Sequence, residues 1–436
     1  MLEFISKKIT NIITFFYEKI FREKMNYNVK GFFKDVSYVG IGIITATTVA
    51  FIFTVLAGRF LGPSGYGEFA IVQSVGMFLY IPMVMGFSTA MIRYNAEEKD
   101  FEKQRSIIST TFLLVTSFTI FSIVIYFLFS SEISKAFSIT RDFLYLSIIF
   151  ALLFSFYLLV TSTLRGLHEM KKYGILYPMS SIISISAFLV LIFFNFVSFK
   201  SVLYSYYISY AVAGVIILIV IRKYIKFEFD KAQAYKLFNY GIYAVISGIS
   251  AVIYANIGKI FINIYMTTAD VGIYTAYNYS FVMMFTIFGA VITTVLFPVA
   301  SKYKNKTVIV KRINKTVPFI VILGYIISIC LGSIILMFYG KEYGFHLRLV
   351  LLFGIVGVIM FFDTIYVWLM NSVGKKGIRI SSFAALIMAF SNTILNIFLI
   401  PLIGLEGAVI AIIISYLLSL IILLSKRKYL YNFSDN

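Results

Sequence analysis

Asp363 is the one carboxylate set well inside a long apolar stretch of this 436-residue chain, about fifteen residues into it. An acid held in low dielectric can take up and release a proton, or ligate a sodium ion, as its surroundings change, which makes Asp363 a coupling-ion candidate. The competing reading is a helix-packing acid satisfied by a neighbouring hydroxyl or by a base such as Lys259. Arg59, Arg93, Lys259 and Arg348 are cations at or inside the ends of apolar stretches. A guanidinium forks onto paired oxygens of an anion and an ammonium pairs as a point charge, so these four are candidate binders of an anionic substrate. Simpler roles compete here too: Arg93 as an interfacial anchor, Arg59 and Lys259 as side chains that snorkel to the membrane surface. Asn256, Asn278 and Asn371 either line a polar path or simply join helices, and Asn256 is kept with the substrate-binding candidates.

Other chemistries find no residues. Cys330 is the single cysteine, and His168 and His346 are the only histidines, so neither a disulfide framework nor a cysteine or histidine metal centre is expected, and no cofactor. No glycine-rich phosphate loop appears. Glu68, Glu132, Asp142, Asp270, Glu342 and Glu406 are scattered over short turns, and no connection exceeds about sixteen residues. General acid and base work needs such groups converging on one place, so the chain reads as a transporter rather than an enzyme.

The elements that must position these residues are membrane helices. Hydrophobic residues make up 60% of the chain and charged residues 13%, with a mean hydropathy of +0.93, far from the balance of a soluble domain. Unbroken apolar runs exclude the two-residue alternation of a membrane barrel. Twelve helical spans are expected, at 37–58, 69–91, 106–129, 143–164, 174–197, 201–221, 238–262, 273–299, 316–338, 348–370, 377–400 and 404–424. Alternating the connections puts 31 of the 38 Lys and Arg on the side of the two termini. That bias predicts a multi-pass protein of the cell membrane with both termini cytoplasmic, and it explains most of the +19 charge without nucleic acid as a partner. Before the first span, Leu2, Ile5, Ile9, Ile12, Phe16 and Ile20 recur at helical spacing among lysines, which predicts an amphipathic helix on the cytoplasmic face. Pro82, Pro178 and Pro318 predict kinks, and tyrosines cluster at span ends, as interfacial belts do.

The two halves match. Tyr66-Gly67-Glu68-Phe69 follows span one and Val271-Gly272-Ile273-Tyr274 follows span seven, at an offset of 205 in the numbering; Lys171-Lys172-Tyr173-Gly174 and Lys375-Lys376-Gly377 stand 204 apart. Six spans per half is an even number, so the repeats are parallel. The organisation expected is a tail and amphipathic helix over 1–36, six-helix bundles over 37–221 and 238–424, a linker over 222–237 and a tail over 425–436. By these boundaries Arg59 and Lys259 fall at corresponding outer ends of spans one and seven, both facing the space between the bundles.

Arg59-Phe60-Leu61-Gly62-Pro63 leading to Tyr66-Gly67, the turn from Leu164-Arg165-Gly166 to Lys171-Lys172-Tyr173, and Val271-Gly272-Ile273-Tyr274 followed by Leu296-Phe297-Pro298 resemble polysaccharide-type flippases. So do Leu395-Asn396, Leu399-Ile400-Pro401, Gly404 and Gly407-Ala408 near the end of the chain. Those flippases belong to the multidrug/oligosaccharidyl-lipid/polysaccharide exporter superfamily, and the resemblance covers Phe33 to Ser425. It implies an all-α integral membrane fold of about twelve helices, in two six-helix repeats around a central cavity. It further implies alternating-access flipping of a polyprenyl-(di)phosphate-linked oligosaccharide to the outer leaflet, for surface polysaccharide or glycoprotein glycans. The partners expected are the lipid-linked substrate, the bilayer, and glycosyltransferases or a polymerase of the same pathway. One departure stands out: where the family often has an acid before a basic residue in span seven, Gly258 precedes Lys259. The alternative function is a cation-coupled multidrug antiporter on the same plan, which the scarcity of buried carboxylates disfavours.

Overall fold

A computed structural model describes residues 27–283, 285, 286, 289 and 307–431. The expected amphipathic helix therefore lies outside the described residues up to residue 26, as do Leu296-Phe297-Pro298, the end of the eighth span and the last five residues of the chain. The described chain folds as α1 (Tyr27–Val84), α2 (Phe87–Glu97), α3 (Phe101–Leu128), α4 (Ser130–Phe137), α5 (Arg141–Gly166), α6 (Met170–Phe193) and α7 (Phe199–Ile221). After a 3-10 turn at Arg222–Tyr224 come α8 (Lys231–Tyr265), α9 (Thr268–Phe281), α10 (Thr307–Tyr339), α11 (Leu347–Asn371), α12 (Lys375–Ser425) and α13 (Lys428–Tyr431). Among the described residues nine helices are long and apolar enough to cross a bilayer.

Two of those nine contain 48 and 50 such residues. At 1.5 Å per residue either would measure about 70 Å, more than twice the ~30 Å hydrocarbon core, so each carries two spans. The breaks fall where the backbone leaves the helical region: at Gly62 (φ 65°, ψ 177°) in α1, and at Ile403 (φ −136°, ψ 18°) with Gly404 (φ 60°, ψ −136°) in α12. Glycine meets the positive φ at Gly62 without the Cβ clash of other residues. Eleven of the twelve expected spans thus stand among the described residues, and α9 begins the eighth. Lipid can satisfy no backbone group, so the described spans close their backbone hydrogen bonds within helices.

The prolines mark helix ends less well than the glycines do. Pro82 is followed by the left-handed pair Met85 (φ 46°) and Gly86 (φ 68°), which separates α2 from α1. Pro178 sits inside an uninterrupted α6, and Pro318 lies within the helical backbone of α10.

Between helices the packing is aromatic and aliphatic, stitched by hydroxyls aimed at backbone oxygens. Tyr126 Oη donates to Leu79 O at 2.7 Å, Tyr207 Oη to Leu146 O at 2.6 Å and Ser209 Oγ to Ser180 O at 2.9 Å. Such bonds are worth on the order of 1 kcal/mol each in a membrane, where van der Waals fit does most of the work. The largest buried cluster takes residues from both halves, among them Phe53, Tyr66, Phe69 and Phe150 from the first and Tyr274, Tyr277 and Phe353 from the second.

The connection between the halves is clamped to the first. Lys226 N donates to Ser109 Oγ at 2.8 Å, Asp230 N to Thr110 Oγ1 at 3.2 Å, and Ser106 Oγ to Asp230 Oδ2 at 3.1 Å. Asp230 also caps α8, its Oδ1 accepting from Ala232 N and Gln233 N. The Gln233 N–H above all, together with the Ala232 N–H, the Ser106 hydroxyl and the Lys236 charge, outweighs the burial penalty and holds this carboxyl below its ordinary range. Asp230→Ala should therefore destabilise the protein by roughly 1 kcal/mol at neutral pH. Because the folded-state pKa is depressed, the contribution is present above the unfolded value near 3.9 and is lost as pH falls through the folded value. Thermal melts in detergent should show the gap between the two proteins narrowing as pH falls below the unfolded value, and a constant gap would refute the cap.

Candidate functional site

The repeat landmarks meet each other in space. A Cβ on Gly67 would collide with Thr268 O and one on Gly272 with Pro63 O, and each glycine also faces the other's backbone nitrogen. Pro63 and Thr268 stand one repeat offset apart in the chain, as do Gly67 and Gly272. The contact is thus the same on both sides, as a two-fold axis between the repeats requires. Only glycine permits backbones this close. The crossing lies near the first turns of α9 and of the second segment of α1, on the face of the membrane away from the chain ends, called here the far face.

Around the crossing the two halves are joined across the far face. Tyr343 Oη donates to Gly58 O at 2.7 Å and Arg59 Nη1 to Phe338 O at 3.1 Å, each bond running from one half to the other. Tyr66 stacks into the same seam, its ring 5.9 Å from Tyr339, which lies 5.3 Å from Tyr343. Tyr277 Oη pins the loop that carries Tyr343, donating to Gly344 O and accepting from His346 N, both at 2.8 Å.

Beneath the crossing lies a cavity of about 360 Å³. From the first half it is lined by Gln73 and Met77 of α1, Phe150 and Phe154 of α5 and Tyr210 of α7. The second half presents Tyr254, Asn256 and Lys259 of α8, Tyr274, Asn278 and Tyr279 of α9, and Tyr416 of α12. Lys259 is only 6% exposed, and among the described residues no hydrogen bond or ion pair engages its ammonium. A buried cation is costly in a membrane interior unless something anionic answers it. Asn256 is buried beside it, with its Nδ2 turned back to Val252 O at 3.1 Å.

The other expected site residues lie elsewhere. Arg59 is exposed on the far rim and does not line the cavity. It does not correspond to Lys259 either: the repeat offset of 205 pairs Lys259 with Thr54, whose hydroxyl bonds its own helix at Ala50 O (2.7 Å), and pairs Arg59 with Ile264. Arg348 is likewise outside the cavity and exposed, 3.7 Å from Glu406. Arg93 lies toward the termini, outside the cavity, with its Nε 3.4 Å from Glu97 and its guanidinium 4.7 Å above the Tyr240 ring. It is part of a contact between halves there, in which Phe238 of α8 packs against Phe87 (4.9 Å) and Phe118 (5.8 Å), and Gly86 abuts Gly241 O.

Asp363 is buried, 7% exposed, and Ser419 Oγ donates to its Oδ1 at 2.6 Å. Its partner is thus a hydroxyl, and Lys259 is not bonded to it. It lines a separate space of about 180 Å³ with Ser381, Ser382 and Ser419, inside the second half. Asn371 accepts from Ser381 Oγ at 2.6 Å and joins helices. Sequence reasoning singled out Asn278 but passed over Gln73, its counterpart in the first half; the repeat offset applied to Asn278 finds it.

The family described as polysaccharide biosynthesis protein matches residues 32–304. Among solved structures, the lipid II flippase MurJ in an inward closed conformation is similar with a TM-score of 0.62 at 15% identity, over 89% of this chain and 87% of that one. An inward-facing multidrug resistance MATE family transporter of the MOP superfamily is similar with a TM-score of 0.60 at 13% identity, over 90% and 94%. The outward-facing form of a MATE family transporter scores 0.59 at 14% identity, over 91% and 95%. At such identities the likeness shows the fold. No curated protein sequence gives a significant match.

A bulky side chain at the crossing should break the seal. In a Cys330→Ser background carrying Met77→Cys, Gly67→Val and Gly272→Val should each raise labelling of position 77 by a membrane-impermeant maleimide applied from the far face, by roughly tenfold, the size of a ~1.4 kcal/mol population shift. Unchanged labelling in both would show that the crossing does not close the cavity.

Proposed function

The chain belongs to the polysaccharide biosynthesis protein family, and on that premise we propose that it carries a polyprenyl-(di)phosphate-linked oligosaccharide from the inner to the outer leaflet by alternating access. The observation that carries the proposal is Lys259, a buried cation opening into a cavity walled by amides and tyrosines between two repeat halves. The cargo has three parts with different needs. Its hydrocarbon tail stays in lipid, its phosphate needs a cation and its glycan needs hydrogen-bonding groups in place of water. The cavity offers the last two.

In this reading the face of the termini is cytoplasmic, as the lysine and arginine bias implies, and the far face is outside. The headgroup enters from the inner leaflet while the Gly67–Gly272 crossing is shut. The bundles, 37–221 and 238–424, then rock and the crossing opens. An inside-negative potential favours outward movement of a negative headgroup by about 2.3 kcal/mol per charge per 100 mV, so direction does not require a coupled ion. Arg59 holds the far seam and Arg93 the seam toward the termini, so both act on gating. The glycosyltransferases that build the cargo, or a polymerase that consumes it, are the partners this role requires.

A second reading has support in Asp363. Its carboxylate, Ser381, Ser382 and Ser419 offer oxygen to a proton or sodium ion, as a cation-coupled antiporter of the same superfamily would need. Lys259 opposes it, because a fixed cation in the cavity repels cationic drugs.

Purified protein in liposomes containing polyprenyl diphosphate trisaccharide, with glycan exposure followed by an impermeant glycosidase, tests the choice. Lys259→Met should slow exchange by roughly tenfold or more, the loss of ~1.4 kcal/mol of ion pairing. Arg348→Ala and Lys426→Ala should match the parent. Equal rates in all three variants would remove Lys259 from the site.

A further inference from the structure

We infer that Gln73 and Asn278 form a matched pair, one from each half, that recognises the sugar next to the phosphate, while Lys259 recognises the phosphate itself; this rests on the flippase reading. Both amides line the cavity, and they are separated in the chain by the offset of the repeat. Each follows its crossing glycine by six residues, Gly67 to Gln73 and Gly272 to Asn278, along a continuous helix. Both therefore hang about 9 Å below the crossing, at one depth, on opposite sides of the two-fold axis. An amide has two donors and an acceptor oxygen, which suits a ring of hydroxyls that each give and take a hydrogen bond.

The same axis supplies aromatic faces. Tyr210 and Tyr416, separated by nearly the same offset, stand on the two walls. Tyr210 is held rigidly, stacked on Tyr157 at 5.3 Å with Phe150 and Phe154 at 5.8 and 5.6 Å. Tyr416 lies 6.2 Å from Tyr254. Lys259 breaks the symmetry, since Thr54 in the equivalent place spends its hydroxyl on Ala50 O. The phosphate is thus held by the second half alone and the sugar by both.

This arrangement links recognition to release. A sugar bonded to both amides ties the halves together in the arrangement sealed at the far face. When the crossing opens, Gln73 and Asn278 move apart with their helices, and the sugar loses one of its two holds as its exit appears.

The test measures, in liposomes, the KM for polyprenyl diphosphate trisaccharide and the inhibition constant of sugar-free polyprenyl phosphate as competitor. Gln73→Leu and Asn278→Leu should each raise the KM roughly tenfold, the loss of about one strong hydrogen bond, and leave inhibition by the sugar-free lipid unchanged. Lys259→Met should weaken that inhibition. Gln73→Asn and Asn278→Gln, which keep the amide, should recover part of the loss, and alanine at either position repeats the test if leucine disturbs folding. Leucine variants with a parental KM, or with both constants weakened equally, would overturn the pair. Parent protein that moves no glycolipid would instead overturn the flippase reading, a different result from parent transport that ignores the amides.

Discussion

The rest of the architecture depends on two glycines being bare. Gly67 and Gly272 let two helices, one per half, cross with backbone against backbone, and every other feature of the site is placed relative to that point. The far seam of Tyr66, Tyr339, Tyr343 and Arg59 surrounds it, and the cavity begins beneath it. A contact made of backbone and small side chains has little interlocking to undo. Such an interface suits two bodies that must separate and rejoin, because its energy comes from close fit rather than from deep interdigitation.

Charge placement follows a complementary logic. The cations at the membrane surfaces are answered locally, Arg93 by Glu97 and Tyr240, Arg348 by Glu406 and Arg59 by a carbonyl. The buried acid Asp363 is answered by Ser419. Lys259 instead faces the cavity, buried and without a protein anion beside it among the described residues. In the proposed role the anionic headgroup relieves the cost of that burial, which becomes affinity for the cargo.

Much of this was legible in the sequence, and the failures are specific. Hydropathy set the twelve spans because lipid imposes one length and one composition on each. Gly62-Pro63 and Pro401 to Gly404 marked the breaks inside two very long helices. The offset of the landmark glycines revealed the repeat, and those same residues proved to be the crossing. Arg59 was misplaced because proximity to a span end matched it to Lys259, whereas the repeat pairs Lys259 with Thr54. Arg59 falls five residues beyond the position that matches Lys259, more than a helical turn, enough to put it on the rim rather than at the cavity. Gln73 was missed because a single amide in an apolar span looks the same whether it joins helices or lines a path. Arg93 meets Tyr240 and Arg348 meets Glu406 on elements whose closeness no local pattern records, and the hydroxyl that satisfies Asp363 lies 56 residues away in the chain.

The central claim is that the crossing must open for a headgroup to pass. Cysteines at Pro63 and Thr268 in a Cys330→Ser background, bridged by a short bifunctional methanethiosulfonate, lock it shut. Glycolipid exchange in liposomes is then followed before bridging, after bridging and after reduction. Exchange should stop on bridging and return on reduction, with the single-cysteine proteins unaffected. Exchange that continues at the unbridged rate in fully bridged protein would contradict the claim.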